Sequence, residues 1–429
     1  MELKEGTRIR TREEGWPQEL IEKFEKSDLT DRQVRSLLAL HLNGERAGRF
    51  LEAATSNPMI GKLDLGWAMP TTELGMRAQP GKDGLGMVEI NIGTYGHVPD
   101  RWPYQNDTPL GSHPTPGSYM PGPYHVYDKS EVWAEGVDAL YDQAIRERWV
   151  PAVDIEWAAL KEQPEELERA ICQICTHFAE NGLTESKLLA SWEEKIAYGF
   201  HDVKNFVSTQ VFDAGRKVEV LRKRALANGG GLLQSNLGTM YRAWFGALKP
   251  TEWMVGIDVV YKAYELTAFE VLAEVCPEEV DRDIFSRLAA DSRRHFEFGV
   301  RHLRWYLQHH QDAREFLFHF LNRSEGALAI EMMHSRATPE AFAVLFAGGL
   351  ENIAAGVEKV KDLRRAQMRR YVEALDSCSY DRLPQINSDL MALSRTGGLV
   401  GEPAESEDGA ATEDGAETAA EGAAAGSNN

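Results

Sequence analysis

Between residues 129 and 381 apolar positions recur three and four apart almost without a break, the spacing of helices that bury one face. The pattern predicts helices over 132–148, 164–180, 185–192, 202–228, 236–245, 252–275, 279–310, 313–321, 339–350 and 354–375. The punctuation between them is chemically legible. Asn228-Gly229-Gly230-Gly231 stops one helix, Lys249-Pro250-Thr251 separates two more, and Cys276-Pro277-Glu278 makes a tight helix–helix turn. Two long helices joined by such a turn form an αα-hairpin, the repeat unit of a four-helix bundle. No window approaches the run of about 18 uncharged apolar residues that a membrane span needs, so no membrane partner is expected.

Upstream the pattern changes twice. Residues 17–55 carry helical material, with Val34, Leu37, Leu38, Leu40, Leu42 and Phe50 at roughly helical spacing. From Asn57 to Asp128 Gly, Pro, Tyr and Trp dominate, as in Arg101-Trp102-Pro103-Tyr104 and Tyr119-Met120-Pro121-Gly122-Pro123-Tyr124. The one strand-like run is Gly86 to Tyr95, with Met87, Val88, Ile90 and Ile92 as its apolar members. So long a stretch with so little regular pattern, yet rich in aromatics, reads as an arm wrapping a surface, either of its own bundle or of a partner. The expected division is an N-terminal helical segment and arm (1–128), a helical bundle (129–381) and a C-terminal extension (382–429).

Composition narrows the class. Hydrophobic content of 43 % and charged content of 27 % over 429 residues suit a soluble globular chain with a large core. A formal net charge of −20 argues against nucleic acid or anionic membrane as partners. Eight of the negative charges lie between Gly401 and Asn429, a stretch with no Lys or Arg, no aromatics and no periodicity, which reads as a disordered, solubilising tail. The N-terminus lacks the apolar run of a secretory signal, and four cysteines do not make a disulfide framework, so a cytoplasmic location is expected.

Several local patterns point away from the obvious chemistry. Cys172-Gln173-Ile174-Cys175 with His177 has zinc-like spacing but no second pair nearby, and both cysteines read as small core residues. His309, His310 and His319 sit apart from any carboxylate cluster and read as surface groups. The glycine run at 229–231 follows a helix and lacks the Lys-Ser/Thr of a phosphate loop. Arg222-Lys223-Arg224, Arg364-Arg365 and Arg369-Arg370 read as solvated faces or as contacts to acidic partner helices.

Two segments 78 positions apart carry the chemistry: Asp213-Ala214-Gly215-Arg216-Lys217 and Asp291-Ser292-Arg293-Arg294-His295. Both keep Asp-x-x-Arg, and the second ends in His. In context they read Thr209-Gln210-Val211-Phe212-Asp213 and, downstream, Leu288-Ala289-Ala290-Asp291 through His295-Phe296-Glu297-Phe298-Gly299. Over roughly 130–375 this resembles the ferritin-like di-iron carboxylate superfamily, in particular the oxygenase subunits of bacterial multicomponent monooxygenases and acyl-CoA epoxidases. There the segment reads Asp-Glu-x-Arg-His twice, and its Glu and His reach an iron pair in the core.

The resemblance implies an all-α, ferritin-like helical bundle with an irregular aromatic and Pro-rich N-terminal arm. It also implies degenerate metal-ligand motifs. Ala214 and Ser292 occupy expected Glu positions and Lys217 an expected His position, and Ala contributes nothing to coordination. His295 is the one conventional ligand kept. Counting back by the family's usual helix-to-helix span gives Glu180 or Glu185 as the carboxylate of the first half, and Asp258, Lys262 or Glu265 for the second. Asp258, Lys262 and Glu265 share a helix face. Lys217 and Lys262 could therefore stand where metal cations would, since buried carboxylates without iron need a positive partner. The expectation is a chain without a complete di-iron centre, an auxiliary or non-catalytic member in a homo- or hetero-oligomer with a related helical subunit. The alternative is a dioxygen-activating oxidoreductase with an altered or mononuclear iron site, acting on a small organic molecule or acyl thioester. The cofactor is accordingly none or iron.

Overall fold

The computed structural model describes residues 76–102, 125–235 and 238–399, together with Glu22, Met59, Leu63 and Ser112. Apart from Glu22, the helical segment expected within 17–55 lies outside the described residues, as does the acidic tail from 401. Within them the chain is all-α. Its main helices are α1 (Val137–Arg146), α2 (Glu165–Glu193), α3 (His201–Ala227), α4 (Pro250–Val255), α5 (Lys262–Val275), α6 (Glu279–His309), α7 (Ala313–His334), α8 (Ala337–Ala347), α9 (Ile353–Ser377) and α10 (Ser388–Thr396).

Four long rods form the centre. Helices α2 and α3 pack along their length as one antiparallel hairpin. Helices α4 and α5, fused through the π-helical segment Gly256–Tyr261, make a second hairpin with α6. A single crossover, residues 228–249, joins the two, the connectivity of ferritin-like bundles. The remaining helices brace this core, α1 against α3 and α6 and the others against different faces. Helices α8 and α9 pack as a pair, α8 against α2 and α9 against α5, while α7 covers the π segment and α10 covers α7 and α9.

The breaks fall where backbone chemistry requires them. Helix α3 ends at Ala227, and Gly229 and Gly231 follow with φ of 78° and 80°, which a side chain resists. Pro250 opens α4 at a position where its missing N–H costs nothing. Several expectations need correcting, among them the helix expected over 313–321, which runs on to His334. The helices expected over 164–180 and 185–192 are one helix, because Gly182 is not a stop but a point of close approach. A Cβ there would lie 2.9 Å from the Val218 side chain and 3.1 Å from the Ala214 carbonyl, so the glycine lets α3 lie against α2.

The strand expected over Gly86–Tyr95 is a helical turn, Met87–Ile90, followed by a 3₁₀ turn, Gly93–Tyr95. Asp142 on α1 accepts from the Met87 and Val88 backbone N–H groups at 2.9 and 3.2 Å, and Glu89 accepts from Gly86 N–H at 2.8 Å. These bonds satisfy helix-start donors that a strand would have paired laterally. Among the described residues only isolated β-bridges occur. This part of the arm rests on its own bundle: Trp102 is buried against Gly199, and Asn91 donates to Asp202 at 3.2 Å.

Along all four central helices the core is layered. One apolar layer contains Leu188, Trp192, Phe206, Trp253 and Phe298, and the other contains Ile174, Phe178, Leu221, Phe269 and Phe285. Between them, on each helix, lies a short band of charged residues. That band is the site.

Candidate functional site

Each central helix contributes to the band from its middle turns: Glu185 from α2, Asp213, Arg216 and Lys217 from α3, Asp258, Lys262 and Glu265 from the π segment and α5, and Asp291, Ser292, Arg294 and His295 from α6. All are buried. At the centre two glutamates and two lysines form a closed ring. Lys217 Nζ lies 2.6 Å from Glu185 Oε2 and 2.7 Å from Glu265 Oε2. Lys262 Nζ lies 2.8 Å from Glu185 Oε1 and also pairs with Glu265 Oε1. Each carboxylate thus bridges both ammonium groups, as a carboxylate bridges two metal ions in a di-iron bundle. Tyr241 Oη donates to Glu185 Oε2 at 3.0 Å and Ser292 Oγ to Glu265 Oε1 at 3.0 Å.

A second ring flanks the first. Arg216 pairs with Asp213 and, at 2.8 Å, with Asp291; Arg294 pairs with Asp291 and, at 3.3 Å, with Asp213. The two Asp-x-x-Arg segments therefore cross-link each other. Trp149, ahead of α2, donates to Asp291 at 3.1 Å and its backbone carbonyl accepts from Arg216 at 3.2 Å. His295 joins the rings: its Nε2 lies 3.1 Å from Asp213 Oδ2 and its Nδ1 3.8 Å from Glu185 Oε1.

The electrostatics follow from this geometry. Burial disfavours every charge here, yet Lys217 and Lys262 hold the Glu185 carboxyl well below the usual carboxylate range and also lower Glu265. Burial likewise opposes charge on Lys262, but the two glutamates raise its pKa above the usual value. Asp213 and Asp291 occupy equivalent positions but move in opposite directions. For Asp291 burial, reinforced by the Asp213 charge, pushes the pKa up; for Asp213 the hydrogen bond from His295 and the nearby cations outweigh burial and bring it down. The asymmetry is therefore the mark of the one histidine. His295 itself is raised, because the bond to Asp213 and the neighbouring Glu185 carboxylate outweigh its burial. Asp258 sits apart from the ring, with Gln210 donating to it at 3.2 Å, and burial pushes its carboxyl up to about 7.

The structure thus brings Glu185, Glu265, Asp258 and His295 into one buried band and leaves Glu180 outside. Glu180 is partly exposed and lies 3.9 Å from Arg242, since it is more than one turn from Glu185 and faces the far side of α2. Ala214 and Ser292 line a residual void of only about 10 Å³ beside the ring. That is at the margin for one water, where roughly 10–15 Å³ is needed.

These groups do not fit a metal pair. Ammonium groups sit on the glutamate oxygens that would bridge it, and Ala214 and Ser292 offer no carboxylate. Among the described residues no three His, Cys, Asp or Glu side chains are grouped so that they could hold a metal ion.

Sequence reading missed part of the polar interior. Arg224 was expected on a solvated face, but it is buried and pairs with Glu168 at 2.7 Å and with Asp281. The signal was present for the arginine: Arg224 follows Asp213 by 11 residues, close to three full turns, which returns it to the same helix face. Arg364, expected outside, is also buried. Cys172 and Cys175 lie in the apolar core with free thiols, and burial pushes Cys172 up to about 12, which keeps it protonated and inert.

No protein-family model matches the chain, and no curated protein matches it. Three solved structures do, all variants of R2-like ligand-binding oxidases with reconstituted Mn/Fe cofactors. One is 14 % identical with a TM-score of 0.38, covering 58 % of this chain and 95 % of that one. A second is 17 % identical with a TM-score of 0.39 and the same coverage. A third is 15 % identical with a TM-score of 0.33, covering 62 % and 94 %. Similarity at this level says nothing about what the present chain holds.

Proposed function

We propose that this chain is a metal-free member of the ferritin-like di-iron group that serves as an auxiliary, non-catalytic subunit beside a related metal-bearing helical chain. The observation that carries the reading is the ring of Glu185, Lys217, Glu265 and Lys262. Two ammonium groups take over the neutralising role of two metal ions, and the four helices remain tied at the level where a metal pair would tie them. A fixed positive charge cannot exchange ligands or change oxidation state, so the ring keeps the architecture and gives up the redox chemistry. The resemblance to multicomponent monooxygenases, which pair metal-bearing with metal-free subunits, supplies the role.

The test is ferrous iron added anaerobically to the purified full chain, followed by dioxygen. The expected outcome is no dioxygen consumption above that of the buffer and no shift in Tm with iron. Iron-dependent uptake of dioxygen would overturn the reading in favour of an oxidoreductase with an altered or mononuclear site on His295 and its neighbours.

A further inference from the structure

Five arginines are buried among the described residues, and four of them face acids: Arg216 and Arg294 meet Asp213 and Asp291, Arg224 meets Glu168 and Asp281, and Arg382 meets Glu325. Arg364 on α9 is the exception. It is 7 % exposed, and its one hydrogen bond runs from an Nη to Gln367 Oε1 at 2.9 Å. Its Nε has no partner, and no Asp or Glu among the described residues forms an ion pair with it. A buried guanidinium without a counter-charge is costly unless something supplies one.

The place for that something is adjacent. Arg364 lines a cavity of about 40 Å³ between α9, α7, α8 and the central helices. This is room for a small ion, given that roughly 10–15 Å³ holds one water. Tyr264, Ser335, Thr338 and Gln367 line the same space, with the Ser335 and Thr338 hydroxyls bonded to each other at 3.0 Å. Two carboxyls also reach its wall, but neither answers Arg364. Glu265 is held by Lys217 and Lys262, and Glu331 turns its oxygens to the Met240 N–H at 2.8 Å and the Asn181 amide at 3.1 Å. Burial further favours the neutral form of Glu331. A wider recess of about 290 Å³, lined by Gln234, Thr239 and His334, shares the walls Glu331 and Ser335 with the inner cavity.

We infer that Arg364, with the hydroxyls of Tyr264, Ser335 and Thr338, forms a binding site for one small monovalent anion of halide size. The anion would neutralise Arg364 and stabilise the packing of α8 and α9 against the central bundle. The site is independent of whether the ring beside it is metal-free.

Bromide is the probe. The full chain is melted in increasing sodium bromide at constant ionic strength, with sodium gluconate, too large for the cavity, as the balancing salt. The expected result is a saturable rise in Tm relative to the Arg364→Met variant, whose melt shows no saturable bromide response and which in gluconate alone is no less stable than the parent. Crystals of the parent soaked in bromide should carry an anomalous peak within hydrogen-bonding distance of the Arg364 guanidinium, a readout that stands even if the variant does not fold. No peak in the cavity, or a saturable bromide response that persists in Arg364→Met, would overturn the site.

Discussion

At the scale of single residues, the polar interior is a set of charges chosen to cancel. The inner ring carries two glutamates and two lysines and the outer ring two aspartates and two arginines, so each is neutral in itself. Removing one member leaves an uncompensated buried charge. Lys217→Ala is therefore expected to destabilise by about 3–5 kcal/mol, the scale for breaking a buried pair. The double variant Lys217→Met with Glu265→Gln keeps the Lys262–Glu185 pair and should recover most of that loss, since replacing both partners removes the stranded charge. Thermal or denaturant melts of the three chains check this, and a Lys217→Ala melt equal to the parent's would remove the ring from the account.

Asp258 gives a pH dependence of the opposite sense to the ring. Its folded pKa of about 7 lies above the ordinary value of 3.8, so the folded chain holds a proton that the unfolded chain releases. Its contribution is fully present below the unfolded pKa and is lost as pH rises from about 4 through 7. Glu185 and Glu265 are lowered, so theirs is present above the ordinary 4.5 and is lost as pH falls below it through their folded values. Stability should decline from pH 5 to 8 by an amount on the order of a few kcal/mol. In Asp258→Asn the decline should flatten, measured as Tm against pH; an unchanged slope would contradict the assignment.

At the scale of elements, two glycines set how closely the central rods approach. Gly182 admits α3 to α2, and Gly299 on α6 faces the π segment, where a Cβ would lie 2.6 Å from Asp258 Cβ and 2.7 Å from its backbone carbon. Gly299→Ala should cost about 1–3 kcal/mol by forcing the hairpin apart. Gly215, in the same kind of helix, has nothing within 4 Å of its Cβ position. Gly215→Ala should instead stabilise by roughly 0.5–1 kcal/mol, because only the helix propensity changes. Denaturant midpoints of the two variants should move in opposite directions.

The same glycines explain what the chain did and did not disclose. Helical periodicity, the proline starts and the Cys276-Pro277-Glu278 turn made the rods legible, and the paired Asp-x-x-Arg segments made their central level legible. The role of Gly182 was not, because a glycine that ends a helix and one that admits a neighbour look alike without the neighbour. The π segment was hidden for a related reason: its hydrogen-bond shift leaves the apolar pattern of 252–275 unbroken. Glu180 and Glu185 were indistinguishable by counting, since only the packed face of α2 separates them. Arg224 and Arg364 read as surface residues because each stands beside other basic residues that are at the surface, and burial depends on a single helix face.

At the scale of the whole molecule, two apolar layers enclose one charged layer, and the four helices meet in that layer through ion pairs. The central claim is that the two lysines stand in place of the metal pair. Elemental analysis of the full chain, purified without chelators after growth in iron-replete medium, tests it most directly. The account predicts no iron or manganese above background. About two metal ions per chain, the complement of a di-iron bundle, would contradict it.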